Sequence, residues 1–259
     1  MAQIKGAGQS AFFGLDDGLP ILSNLVICDG AGGQDGMPII FNSEIDVSTL
    51  EPGDLRVVQE SGRIGEIMCL TMAPADDTGE LRTALLVGQF GDLADPPVRV
   101  KVSGNVHSKD GAANFRGTVA DVTPLEDGPS MVWAEIVPKS QWDIGGIASE
   151  IPFGGGSGCP AGTKQVVRVT WGGGVTKPDG KPAGEAERVL YQVTVQDEAG
   201  RANDVSPIEL ADLGDGDNNH ELCLDTDAAA VAVYFPAGQL TDPRDDLNPE
   251  TSIQIWSDT

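Results

Sequence analysis

The sequence predicts an all-β protein, built of antiparallel immunoglobulin-like sandwiches joined by long Gly- and Asp-rich loops. Three observations predict it. Segments of four to eight residues rich in Val, Ile and Thr recur along the chain, parted by clusters of Gly, Asp and Pro. Several alternate with period two: Val98, Val100 and Val102 share one face against Arg99 and Lys101, and Val167, Val169 and Trp171 oppose Arg168 and Thr170. No long stretch carries a period of 3.6, while 34 Gly and 17 Pro supply abundant turns.

Taken in order, the predicted strands begin with the apolar run MPIIF (37–41) and the alternating DLRVVQ (54–59). EIMCLTM (66–72), LRTALLVG (81–88), VRVKVSG (98–104) and FRGTVADV (115–122) follow, each closed by Gly, Pro or Asp. SMVWAEIV (130–137), QVVRVTW (165–171), RVLYQVTV (188–195), AVAVYF (230–235) and SIQIW (252–256) complete the set. Strands at this spacing suit a sandwich or two. The polar, turn-rich SGNVHSKDGAAN marks a boundary near 104–114, giving an N-terminal sandwich over 1–104 and a C-terminal one over 105–259. One continuous domain is the alternative. The segment 140–164, with PFGGGSGCPAG, reads as a long flexible connection, and GGGVTKPDGKP as a hairpin tip around Pro178, Asp179 and Gly180.

The charge narrows the function classes. With 16 Lys and Arg against 40 Asp and Glu, the chain carries −24. That field repels phosphate backbones and anionic bilayers, so nucleic acid and membrane are excluded as partners. Cations, cationic partners and neutral ligands stay open. The opening MAQIKGAGQSAFFGLDDGLPILSNLVI has no apolar run long enough for a signal-peptide core or a membrane span. The expectation is a soluble chain, cytoplasmic as it stands or secreted after loss of a leader.

Cys28, Cys69, Cys159 and Cys223 are widely spaced and form no CxxC pair, which excludes zinc-ribbon and thioredoxin-type readings. Buried reduced thiols acting as small apolar residues are the expected state, and one or two disulfides the alternative. Ser157 and Cys159 lack the G-x-S-x-G setting of a nucleophile elbow, so that loop is read as a connection.

The sharpest chemical signal is ADLGDGDNNHELCLDTD (211–227). Asp215, Asp217 and Asn219 follow a D-x-D-x-N spacing that turns alternate oxygens toward one point, and calcium takes six to eight such oxygens. Asp212 and Asp225 complete the expected shell, with Asp245 from the acidic turn LTDPRDDLNPE (240–250) brought to the same rim. His220 stands where an EF-hand needs Gly, and Thr226 where it needs Glu, so the ion is expected in a loop between strands. An Asx-rich surface turn is the competing reading.

His220 and Glu221, with Asp143, are the catalytic candidates. The acidic neighbourhood should raise the pKa of His220 and favour imidazolium. Trp142, in the polar KSQWDIGG, is the aromatic expected at the surface. With Gln141 and Asp143 beside it, its ring would stack on a sugar or an aromatic ligand, or else anchor the loop. Trp133 and Trp171 sit in strand patterns and are expected in the core.

Residues 37–67 carry a resemblance. Phe41 ends an apolar strand, Glu44 and Asp46 form a short acidic stretch, Thr49, Leu50 and Pro52 make a turn, and Val57 and Gly62 follow. This resembles the opening of bacterial immunoglobulin-like modules of the surface-layer type and covers about a quarter of the chain if extended to 104. It implies a β-sandwich acting as a spacer or binding module of a surface or secreted protein, with no catalytic residues.

The sequence thus predicts a calcium-stabilised acidic β-sandwich that binds a neutral or cationic ligand, whether glycan, small molecule or protein. The alternatives are an enzyme on that scaffold, a hydrolase or lyase using Asp, Glu and His220, and a structural or assembly module.

Overall fold

The alternating segments form strands, with short additions that composition hid. The computed structural model describes residues 9–142, 157–214 and 216–257. The chain divides into two units, Met1–Asp127 and Gly128–Thr259.

The first unit contains β1 (Ser10–Phe12), α1 (Ser23–Val26), β2 (Asp35–Ile40), β3 (Leu55–Gln59), β4 (Ile64–Thr71), β5 (Thr83–Gln89), β6 (Pro97–Val102) and β7 (Val119–Thr123). They close as a barrel in the order β1-β2-β5-β4-β3-β6-β7. The parallel pairing of Ala11 with Val122 and Phe12 with Thr123 closes it. The expected N-terminal sandwich is therefore corrected to a barrel. Closure depends on β1, three residues long and without a sequence signal, and on β7, which lies beyond position 104. The unit consequently runs on to Asp127. Met37, Ile39, Phe41, Leu55, Val57, Leu86, Val100 and Val102 fill the interior, with Phe41 edge-on to Phe115 at 5.0 Å. The inward face of β6 is the one its alternation predicts, and Arg99 and Lys101 stay exposed.

The second unit contains β8 (Met131–Ile136), β9 (Gln165–Trp171), α2 (Glu185–Arg188), β10 (Gln192–Gln196), β11 (Ala202–Val205), β12 (Glu209–Ala211), β13 (Asn219–Leu224), β14 (Ala229–Phe235) and β15 (Thr251–Gln254). Two four-stranded sheets result, ordered β11-β10-β14-β15 and β12-β13-β9-β8. Their inner faces share one core, with Val167, Val169, Trp171 and Leu222 from one sheet against Val193, Val195, Val233 and Phe235 from the other.

The expectation of reduced thiols is overturned. Cys28 bonds Cys69 and Cys159 bonds Cys223, with Cα separations of 6.8 and 5.7 Å. The cysteines face one another only after the strands pair, and spacing along the chain carried no trace of that.

Candidate functional site

The segment 211–227 is a short loop leading into a central strand. β13 occupies 219–224, hydrogen-bonded to β9 on one side and β12 on the other. Its opening residues are polar, and each is buried because it meets a partner. Asn219 accepts from the Thr170 hydroxyl at 2.7 Å, and Glu221 pairs with Arg168 at 2.8 Å. Arg168 lies between Glu221 on β13 and Glu135 on β8, 3.6 Å from the latter. The outward face expected for Arg168 and Thr170 is thus buried. Partnered polar groups tolerate burial that unpaired ones do not.

The loop entering β13 and the hairpin 172–183 form the walls of a cleft of about 170 Å³. Val175, Pro182, Ala183 and Leu213 supply apolar lining, and Asp212, Asp217 and His220 the chemistry. Carboxylate oxygens of Asp212 and Asp217 come within 4.8 Å of one another. Asp212 sits at a positive φ of 61°, a conformation Asp tolerates better than most residues. Its Oδ2 is buried and accepts no hydrogen bond from the described residues. Asp217 is held by its neighbour: Oδ1 accepts from the Asn219 backbone at 2.8 Å and Oδ2 from the Asn219 amide at 2.5 Å.

His220 forms the inner end of the cleft. Trp171 Nε1 donates to the Tyr191 hydroxyl at 3.1 Å, and that hydroxyl lies 2.8 Å from His220 Nδ1. A Trp N–H only donates, so the Tyr191 hydroxyl accepts from it and keeps both a proton and a lone pair for its second hydrogen bond, to Nδ1. His220 thus shares its Nδ1 with the Tyr191 hydroxyl in a buried aromatic setting. Burial among Trp171 and Tyr191 pushes its pKa down to about 4, and burial likewise pushes the Tyr191 phenol up. The imidazolium expected beside an acidic loop is corrected: loss of hydration outweighs the surrounding carboxylates.

No protein-family model matches the chain, and no curated protein does. Among solved structures the chain is similar to the N-terminal part of the bacterial S-layer protein SbsC, at 9% identity and a TM-score of 0.27. That match covers 86% of this chain and 41% of the other. It is also similar to surface layer protein SbsC, domains 1-6, at 9% identity and a TM-score of 0.30, covering 96% of this chain and 40% of that one. The chain spans about two fifths of the length of the solved structures it matches.

Of the six expected metal ligands, the fold brings Asp212 and Asp217 together. Asn219 spends its amide oxygen on Thr170. Asp225 follows β13 and is exposed at the far end of a six-residue strand, about 20 Å from the cleft. Asp245 is exposed in its own turn at φ 70° and does not line the cleft. There Asp242 is the buried aspartate, accepting from the backbones of Arg244 and Asp246 at 2.9 Å each, and burial raises its pKa. Asp215 lies outside the described residues.

The catalytic candidates separate. His220 and Glu221 are neighbours on one strand, so their side chains leave opposite faces of the sheet: His220 lines the cleft, and Glu221 pairs with Arg168. Asp143 lies outside the described residues. Trp142 proves to be a half-buried anchor. Its Nε1 donates to the Val137 carbonyl at 2.8 Å, and it packs beside the Cys159–Cys223 bridge, with Gln141 half-buried in the 3-10 turn before it. The exposed indole is Trp256, 57% accessible and 6.0 Å from Trp133, which is only half-buried. Sequence reasoning missed Tyr191 and Trp171 as supports of His220. Their only signal was aromatic character within strand patterns.

Proposed function

We propose that this chain is a disulfide-braced, calcium-stabilised β module that serves ligand binding or assembly rather than catalysis. One observation carries the reading: Asp212 Oδ2 is buried at the cleft with no hydrogen bond from the described residues, and a carboxylate oxygen of Asp212 lies within 4.8 Å of one of Asp217. A carboxylate oxygen without a donor is costly to bury, and a hard cation offsets that cost with a strong electrostatic bond. Asp212 and Asp217 would supply two oxygens, and water the rest of the shell. A disulfide in each unit supports residence in an oxidising compartment, in keeping with the surface-layer-type resemblance of residues 37–67. We read the C-terminal unit as an immunoglobulin-like sandwich. The opposite facing of His220 and Glu221 argues against acid–base chemistry.

The test is thermal unfolding in excess calcium and in chelator. Binding to the folded state alone raises stability by about 2.7 kcal/mol at a hundredfold excess over Kd. Asp212→Asn should remove that calcium-dependent increment while changing the midpoint in chelator little. A midpoint indifferent to calcium, or an equal rise from sodium chloride, would sink the proposal.

A further inference from the structure

The first unit carries a helical turn built the wrong way round for a surface. A surface helix normally turns its apolar stripe to the core and its polar face to water. At α1 the arrangement is reversed. Ser23 is buried, and Asn24 faces back to accept from the Gly32 backbone at 2.7 Å. Ile21, Leu22, Leu25 and Val26 stand outward, exposed by 76, 57, 84 and 50%. Residues four apart on a helix are neighbours, so Ile21 with Leu25 and Leu22 with Val26 form one continuous stripe.

The stripe rests on a braced base. Leu19, Ile27 and Ala31 pack beneath it with Val87 on the outside of the barrel. Cys28 ties the segment to Cys69 of β4. Just before Cys69 the β4–β5 register slips at Met68, which is 38% exposed and lies beside Gly30. The apolar surface is therefore held in place before any partner arrives, which lowers the entropy lost on binding.

Its surroundings select the partner. From Leu15 to Asp35 the chain carries Asp16, Asp17, Asp29 and Asp35 and no Lys or Arg, with Asp17 and Asp29 exposed. A second copy would bring the same acidic rim and a charge of −24. An anionic bilayer is repelled by that field. We propose that Ile21, Leu22, Leu25, Val26 and Met68 form a docking surface for a cationic amphipathic polypeptide segment, whose apolar side chains cover the stripe while its Lys or Arg residues face the aspartates. This is the helix-on-apolar-surface mode of recognition with electrostatic selection of the partner.

The probe is a short, labelled, helix-forming peptide of leucine and lysine in amphipathic order, with its glutamate counterpart as control, read by fluorescence polarisation on the full chain. The lysine peptide should bind and the glutamate peptide should not. Ile21→Ser with Leu25→Ser should weaken binding at least tenfold at an unchanged unfolding midpoint, because both side chains are exposed. Leu22→Ser with Val26→Ser provides an independent second pair. The proposal is overturned if both pairs bind as the parent does, or if the glutamate peptide binds equally well. It is also overturned if the parent, but not the variants, self-associates in sedimentation velocity or pellets with phosphatidylcholine vesicles. Those outcomes would give the surface to a second copy or to lipid.

Discussion

Breaking the Cys159–Cys223 bridge should cost the C-terminal unit about 4 kcal/mol. The two cysteines are 64 residues apart, and the entropy lost when an unfolded chain is closed into a loop grows with the logarithm of its length. For a loop of this size the loss amounts to about 14 cal/mol/K, or about 4 kcal/mol at room temperature. Both cysteines are fully buried, so a Cys159→Ala, Cys223→Ala variant also loses sulfur packing against Val137, Val166 and Ala211. The assay is built into the sequence. All four Trp residues, at 133, 142, 171 and 256, lie in the C-terminal unit, so tryptophan emission in urea follows that unit alone. The variant's transition should move to lower urea by the equivalent of about 4 kcal/mol. A shift below about 1 kcal/mol would refute the loop-entropy reasoning, since removing a native bridge typically costs about 2–5 kcal/mol. Four thiols titrating in the untreated, denatured parent would refute the bridges themselves.

Acid should destabilise the C-terminal unit through His220. Its folded pKa lies near 4 and its unfolded pKa near 6.5. The unfolded chain therefore takes up the proton first as pH falls through 6.5, and stability drops until the folded form protonates near 4, by about 3 kcal/mol in all. Within that unit Asp242, whose pKa is raised by burial, acts in the opposite sense, so a His220→Gln variant is the comparison that isolates the effect. If the parent and His220→Gln unfold with the same pH dependence between 6.5 and 4, the neutral assignment is wrong. Glu221→Ala takes one carboxylate from the buried Arg168, leaving Glu135 3.6 Å away, and should cost about 1–3 kcal/mol in urea unfolding. Gly88→Ala would set a Cβ 1.9 Å from the Glu66 carbonyl oxygen beside the β4–β5 slip. It should destabilise by more than about 3 kcal/mol or leave the protein insoluble, and a normal melting curve would count against that pairing.

The sequence by itself determined the all-β class and most of the strands. Alternation such as Val98, Val100 and Val102 states which side faces the core, because a strand's side-chain period is fixed at two whatever surrounds it. It also located the acidic loop in which Asp212 and Asp217 meet. Tertiary structure decided what local pattern cannot encode. Asn219, His220 and Glu221 read as loop because isolated polar residues belong in water. They form a buried central strand because Thr170 and Arg168 of β9, and Tyr191 just before β10, complete their hydrogen bonds and charges. Barrel closure by the three-residue β1, the cysteine pairings and the neutrality of His220 have the same origin. Each depends on which distant groups the folded chain brings within a few ångströms, and on the water that burial removes.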